Sequence, residues 1–162
     1  MQKKQILTWS LGGLVVLALG IQGVPYGRDH TDPPVTGEPQ WDSPATRDLA
    51  ARACFDCHSN ETVWPWYSNI APFSWIVQHD VEEARSDLNF SEFDKPHKEA
   101  KKAAHEVEEG DMPEAQYTLL HPAARLTLAE KQQLLAGLRA TLGSGGGEAG
   151  EGSEGAADHD DD

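Results

Sequence analysis

The two cysteines of the chain stand three positions apart, and a histidine directly follows the second of them. The five residues Cys54-Phe55-Asp56-Cys57-His58 form a C-x-x-C-H motif. Within a helical turn this spacing brings both sulfurs to one side, where each can add to a vinyl group of one porphyrin. The adjacent imidazole then lies under the iron as its proximal ligand. The motif therefore predicts haem c, attached through Cys54 and Cys57 and ligated by His58.

Other roles for the cysteine pair fit the sequence less well. A thioredoxin-like redox pair requires a βαβ setting, and no strand pattern surrounds the motif. A structural zinc site requires two further ligands, and the other histidines are not paired at zinc-finger spacing. A disulfide across so short a loop would restrain the unfolded chain very little. Covalent haem attachment is the interpretation that uses both cysteines and the histidine.

The N-terminal region combines two lysines with a long uncharged segment. Lys3 and Lys4 precede residues 6–24, a run of mostly apolar residues without a charge. Its length is typical of a transmembrane helix and exceeds the usual core of a signal peptide. No Ala-x-Ala cleavage site follows, so we expect residues 1–24 to be an uncleaved anchor; a cleaved signal and a buried core helix are the alternatives. The lysines favour a cytoplasmic N-terminus, which exports the rest of the chain.

Two further segments lack the pattern of a folded domain. Residues 25–42 are polar and rich in proline, which indicates an extended linker. Residues 143–162 carry seven acidic residues and no Lys or Arg in a Gly/Ser/Ala background, and we expect this tail to be disordered. The tail contributes half of the net charge of −14, whereas residues 43–142 carry sixteen acids against ten bases. Because an acidic chain gains no affinity from counterion release, nucleic acid is excluded as a partner.

The intervening residues 43–142 have the pattern of a helical domain without strands or repeats. Ser43 is a helix N-cap, and Pro44 occupies the first helical position. A capping box, Thr127 with Glu130, precedes a stripe of leucines in the last helix. The predicted helices comprise residues 43–58, 72–87, 96–109 and 127–142. Their apolar content is modest, so a large buried cofactor would help to complete the core.

Met112 is the candidate for the second axial ligand of the iron. It lies in a Gly-Asp-Met-Pro segment that begins at Gly110, a predicted helix stop, and a loop there can bring the thioether over the other haem face. A methionine more commonly fills a gap in a core. The alternative ligands are His121 and His79, since imidazole binds iron more strongly than a thioether. A vacant or water-filled position, as in a sensor or a peroxidase-like site, is the remaining alternative.

Five aromatic residues follow the motif closely: Trp64, Trp66, Tyr67, Phe73 and Trp75. Ordinary core packing accounts for some of them, but so many rings beside the attachment site predict a wall around the porphyrin that keeps water from the iron. Their indole N–H groups and the Tyr67 hydroxyl can donate hydrogen bonds to haem propionates. We therefore expect Trp64, Trp66 and Tyr67 to bind the cofactor. Arg85 is a further candidate for a propionate partner, with an ion pair to Glu82 or Glu83 as the alternative.

Three segments of the chain resemble a known family. They read CFDCHSNETVWPWYSNIAPFSW, HDVEEARSDLNFSEF and EEGDMPEAQYTLLHPAARLT, and the resemblance covers about residues 42–142. They are similar to the small haem-binding domain family of bacterial membrane-anchored monohaem cytochromes. The Gly-x-Met-Pro segment also resembles the distal loop of many c-type cytochromes. The resemblance implies a c-type haem domain, and in a bacterium the exported side of the inner membrane is the periplasm. It implies no particular redox partner.

Together these features predict an all-α fold: a small cytochrome c-like bundle of about four helices wrapped around one covalent haem and preceded by an N-terminal transmembrane anchor. The predicted function is electron transfer by a periplasmic cytochrome with His58 and Met112 as axial ligands, and not enzymatic catalysis. A haem-based sensor or a peroxidase-like enzyme with a displaceable sixth ligand is the alternative. A third hypothesis is that the chain is the haem module of a larger respiratory complex. The expected partners are the membrane and redox proteins that the sequence does not identify.

Overall fold

A computed structural model of the chain describes residues 2–97 and 99–143. Within these residues it contains seven α-helices, no β-strand and one isolated bridge between Gly37 and Glu92. The helices are α1 (Gln2–Gly20), α2 (Pro44–Ala53), α3 (Phe55–His58), α4 (Phe73–Asp87), α5 (Ala103–Glu109), α6 (Ala115–Leu120) and α7 (Leu128–Gly143). The prediction of a helical domain behind an N-terminal apolar helix is confirmed for this part of the chain. Of the acidic tail, residues 144–162 lie outside the described residues.

The N-terminal helix α1 does not pack into the domain. The span Lys3–Gly23 is long and apolar enough to cross a membrane, and none of it is buried within the protein. This exposure excludes the alternative of a buried core helix. A membrane anchor and a signal sequence both fit the arrangement.

The first helix predicted for the domain is divided in two. The Ser43 hydroxyl accepts a hydrogen bond from the Thr46 N–H (3.2 Å), and Pro44 lies in the first turn of α2. The backbone then leaves helical geometry at Cys54 (φ −127°, ψ −33°), and the short α3 follows. The prediction of one continuous helix over residues 43–58 is therefore wrong. The C-x-x-C-H motif of residues 54–58 forms a turn of its own.

Helices α4 and α7 agree with the segments predicted over residues 72–87 and 127–142. The capping box of α7 is formed, because the N–H and the hydroxyl of Thr127 both donate to the Glu130 carboxylate (2.8 Å each). The Glu130 N–H donates in return to the Thr127 hydroxyl (3.3 Å). These three hydrogen bonds fix the start of α7.

Helix α5 is shorter than the predicted helix over residues 96–109. The chain still turns at residues 92–95, where the Lys95 N–H donates to the Glu92 carbonyl (2.9 Å), and α5 begins only after a 3-10 turn over Ala100–Lys102. Gly110 ends α5 as predicted, with a left-handed φ of 94°. Helix α6 was not predicted, since its six residues contain no apolar stripe.

The core lies where α2 crosses α7. The fully buried leucines of α7 form one cluster with residues of α2, α3 and the loop after α4: Leu49, Ala50, Phe55, Phe90, Leu134, Leu138 and Leu142. The two helices are so close that a Cβ atom on Gly137 would lie 2.0 Å from the Thr46 hydroxyl oxygen, so this crossing requires a glycine. Phe55 belongs to the C-x-x-C-H motif and stacks on Phe90 (5.6 Å between ring centroids), which fixes the motif to the core.

The proline-rich residues 25–42 lie along the domain. The N–H groups of Thr36 and Gly37 donate to the Ser91 carbonyl (2.9 and 3.2 Å). Arg47 binds Glu38 of the same segment through two hydrogen bonds (2.7 and 2.6 Å). The segment is therefore held against the domain and is not a free spacer between α1 and α2.

Candidate functional site

A cavity of about 640 Å³ lies beside the C-x-x-C-H motif. A second cavity of about 310 Å³ shares with it Cys54, His58 and Met112. We call the residues of α3 and α4 on these cavities the His58 wall, and residues 110–121 the Met112 wall. Both cavity volumes are in the range of sites that hold small molecules and cofactors.

Both cysteines lie on the larger cavity as free thiols. The N–H groups of Cys57 and His58 donate to the Cys54 carbonyl (3.2 and 2.8 Å) and close the turn of the motif. Burial raises the pKa of each thiol to about 12, so both are protonated at neutral pH. Within the described residues there is also no group of three or more Cys, His, Asp or Glu that could hold a metal ion.

The His58 imidazole is oriented by the end of α4. Its Nδ1 lies 3.1 Å from the Ala84 carbonyl oxygen and 3.0 Å from that of Leu88. Because carbonyl oxygens only accept, Nδ1 carries the proton and Nε2 keeps its lone pair. Burial lowers the pKa of the imidazole, which keeps the ring neutral. Metal-binding histidines are typically held in this way, through the nitrogen that does not bind the metal.

Met112 reaches the same cavities from the end of α5. The N–H groups of Gly110, Asp111 and Met112 lie within 3.1 Å of the Glu106 carbonyl oxygen, so the chain wraps around the helix end. The Met112 side chain is half-buried and lies on both cavities together with His58. The structure therefore brings the two predicted axial ligands to one site.

Of the two alternative ligands, His121 lies on the larger cavity and His79 does not. His121 donates from Nδ1 to the Tyr117 carbonyl (3.0 Å), and its ring stacks on that of Tyr117 (4.3 Å). The Tyr67 hydroxyl lies 3.4 Å from its Nε2. His79 is exposed on α4, with Nε2 4.0 Å from the Glu83 carboxylate. His121 thus takes part in the Met112 wall, whereas His79 lies outside the site.

The predicted aromatic wall is present only in part. Tyr67 and Phe73 lie on the larger cavity. The Trp64 indole N–H instead donates to the Asp32 carboxylate (2.9 Å), and Trp66 is 76% exposed. None of the three predicted tryptophans, Trp64, Trp66 and Trp75, lines the larger cavity. Trp64 binds the proline-rich segment, and Trp66 faces solvent.

Arg85 is also occupied away from the cavity. Its guanidinium donates to the carbonyl oxygens of Ser59 and Thr31 (2.7 and 2.8 Å) and to the Asp32 carboxylate (2.9 Å). The guanidinium is therefore not free to bind a haem propionate as expected. Its ion pair is formed with Asp32 and not with Glu82 or Glu83 of α4. Arg85 fastens the proline-rich segment to α4.

A contact that the sequence reasoning missed joins the two walls. The Tyr117 hydroxyl donates to one oxygen of the Asp56 carboxylate (2.6 Å), and the other oxygen accepts from the Val63 N–H (3.0 Å). Burial and the neighbouring Asp56 raise the pKa of the Tyr117 hydroxyl, which keeps it protonated as a donor. The sequence offered one signal that Tyr117 belongs to the site: it stands four residues before the candidate ligand His121, a spacing that places both rings on one helix face.

Carboxylates supply the charge of the larger cavity: Asp56, Asp80, Glu83, Asp87 and Glu114. No lysine or arginine is among the described residues that line it. Burial raises the pKa of Asp80, and the charge of Glu114 acts in the same direction. Negative charge near an iron stabilises its oxidised state relative to its reduced state.

The donor atoms on the cavity fit a haem. Two thiols, a neutral imidazole with a free Nε2 and a thioether meet at a largely apolar cavity of suitable volume. A family model described as haem-binding domain matches residues 16–140, which is most of the chain. No curated protein and no solved structure matches the sequence. The site and the family match agree, and the chain belongs to the haem-binding domain family.

Proposed function

We propose that the protein is a monohaem c-type cytochrome that carries electrons on the periplasmic side of a bacterial inner membrane. Cys54 and Cys57 attach the haem, His58 and Met112 ligate the iron, and α1 anchors the chain. When bound, haem supplies reversible one-electron chemistry at its iron. No substrate binds at the site, and the partners are redox proteins that dock for electron exchange.

The surroundings of His58 are the observation that carries this proposal. Two backbone carbonyls take up Nδ1, so Nε2 is the only ring nitrogen that can bind a metal. The imidazole belongs to the same turn as the two cavity-lining thiols. A structural histidine would not need a free Nε2 beside two unpaired cysteines at a cavity.

The cysteines would form thioethers without a leaving group. In each reaction the S–H bond adds across one vinyl double bond, with the sulfur going to one carbon and the hydrogen to the other. Burial raises the pKa of Cys54 and Cys57, so both are present as thiols in the protein before that reaction. Two such bonds within one turn would hold the haem in the cavity that His58 also lines.

Met112 is proposed as the second axial ligand because of its position on both cavities. The wrapped end of α5 fixes its backbone, which limits the freedom of the thioether. Thioether ligation favours ferrous iron relative to two imidazoles, whereas the cavity carboxylates favour ferric iron. The midpoint potential should therefore lie below that of a Met/His site without carboxylates at its cavity.

A second candidate function is a haem-based sensor or a peroxidase-like enzyme with a displaceable sixth ligand. The observation in its favour is His121, which lies on the cavity with its proton held at Nδ1 by the Tyr117 carbonyl. Its Nε2 is then able to accept a proton from a molecule bound beside it. This function requires that Met112 leave the iron readily.

Spectroscopy of the full-length protein in detergent distinguishes the two functions. For the electron carrier we expect the oxidised protein to show the weak near-infrared sulfur-to-iron band. Met112→Ala should abolish that band and allow carbon monoxide to bind the reduced protein, because an axial position is opened. The matched variant His121→Ala should keep the band. If the unmutated reduced protein binds carbon monoxide readily, the sensor or enzyme function is correct instead.

A further inference from the structure

Residues 63–77 contain no charged residue and display large apolar side chains on the surface. Several of them, such as Phe73 and Ile76, line the larger cavity and would be covered in part by haem. Trp66 and Ile70 line neither cavity and are 76% and 43% exposed. Much of the surface of these two side chains therefore faces solvent, and haem in the cavities would not cover it.

The same segment is joined to the end of α1. Gln22, in the 3-10 turn that follows α1, donates from Nε2 to the Ala71 carbonyl (2.9 Å) and accepts from the Ala71 N–H at Oε1 (3.1 Å). Arg28 donates to that same Oε1 (3.0 Å), which fixes the amide of Gln22 in this orientation. The segment therefore meets the chain at the point where α1 would leave the lipid.

We infer that residues 63–77 lie on the lipid surface, with Trp66 and Ile70 in the interfacial layer of the membrane that α1 crosses. This inference rests on the proposed anchoring by α1. An uncharged surface loses no charge hydration when it meets lipid, and tryptophan is enriched at membrane–water interfaces. The bilayer is the occupant because the Gln22–Ala71 hydrogen bonds hold the apolar surface directly beside the end of the membrane helix.

The position of the cofactor follows from this contact. Pro65, Tyr67 and Phe73 of the uncharged segment line the larger cavity, so the segment separates the haem site from the lipid. The haem is then held close to the membrane surface and not at the end of a flexible tether. The proline-rich segment, which is fastened to the domain, preserves this orientation.

Photolabelling from within the bilayer tests the inference on the full-length holoprotein. The protein is reconstituted in phosphatidylcholine liposomes that contain a phospholipid with a diazirine on its acyl chain, and labelled peptides are identified by mass spectrometry. We expect label in α1 and in residues 66–72. Label in α1 alone overturns the contact and leaves the anchor intact. Label in residues 66–72 alone supports the contact and overturns the anchor, and label in neither overturns both.

Charged substitutions sharpen the test. Ile70→Asp should lower the label in residues 66–72 to the level of the rest of the domain while the label in α1 is retained, because a carboxylate avoids the acyl region. Trp66→Asp provides a second variant with the same expected result if Ile70→Asp folds poorly, and the haem spectrum checks folding. The control is Leu128→Asp, since Leu128 is 83% exposed at the start of α7 and outside the segment. Unchanged label in residues 66–72 of both test variants contradicts the inference.

Discussion

The His58 wall packs on the hydrophobic core, whereas the Met112 wall meets that core through Met112 and is tied to the motif by a polar contact in α6. Phe55 of α3 is buried against Phe90, and His58 is bound by two carbonyls of α4. In contrast, α6 has no buried residue, and the Tyr117–Asp56 hydrogen bond ties it to the motif. We therefore expect the first wall to be less sensitive than α6 to the loss of a group bound in the cavity.

The largest effect should follow removal of the haem. In Cys54→Ala/Cys57→Ala protein we expect the amides of α6 to exchange with deuterium much faster, because the Met112 wall loses the group it packs on. Residues 134–142 should keep most of their protection, since only Leu138 of this range lines a cavity and Leu134 and Leu142 pack within the core. Hydrogen exchange with mass spectrometry on the full-length protein measures both regions. Equal loss of protection in α6 and α7 would show that the Met112 wall depends on the haem no more than the core does.

A smaller effect is expected from Gly137→Ala, which crowds the crossing of α2 and α7. The added Cβ atom would lie 2.0 Å from the Thr46 hydroxyl oxygen, so the helices must separate. The free energy of unfolding should fall by about 1–3 kcal/mol. Urea unfolding gives the value, and Gly143→Ala is the control, since its Cβ would meet nothing within 4 Å. If both variants unfold like the parent protein, α2 and α7 leave room for a Cβ atom at position 137.

Removal of the Tyr117 hydroxyl should act on the Met112 wall alone. Tyr117→Phe loses the hydrogen bond to Asp56 and should lower the free energy of unfolding by about 1 kcal/mol. Exchange should become faster in α6 and not in α7. Tyr26→Phe is the matched control, because it removes a tyrosine–carboxylate hydrogen bond at an exposed position. An equal effect of the two substitutions on α6 would show that the Asp56 contact does not hold the wall.

The smallest effect concerns pH and the start of α7. Hydrogen bonds from the Thr127 N–H, Arg52 and the Thr127 hydroxyl lower the pKa of Glu130 from 4.5 to about 2. A lowered pKa gives stability above the unfolded pKa that disappears as the pH falls through the folded one. The stability advantage of the parent protein over Glu130→Gln should therefore shrink between about pH 4.5 and about pH 2. Urea unfolding across this range measures it, with Glu109→Gln as control; a constant difference would contradict the pKa shift.

Local patterns predicted the parts of the fold that depend on neighbouring residues. The capping box of Thr127 and Glu130 and the helix stop at Gly110 follow from side chains within a few positions of each other, and the structure has both. The C-x-x-C-H motif likewise predicted a site at Cys54, Cys57 and His58, and these residues line the larger cavity. The tryptophan and arginine contacts could not be read in this way. Trp64 and Arg85 bind Asp32, which is 32 and 53 positions away, and such pairs arise only when the chain has folded.

The break at Cys54 shows a different limit. Helical periodicity continues through residues 43–58, but the chain leaves the helix where the first thiol must reach the cavity. Helix α6 was missed because its six residues are stabilised by the Tyr117–Asp56 contact and not by an apolar face. In both cases tertiary contacts at the site override the local pattern.

The most direct test of the account is the mass of the denatured protein. Full-length protein is extracted with acidified acetone, which removes haem that is not covalently bound, and its intact mass is measured. We predict the mass of the chain plus one haem, and the mass of the chain alone for Cys54→Ala/Cys57→Ala. Recovery of the unmutated protein without haem after extraction would contradict attachment at Cys54 and Cys57.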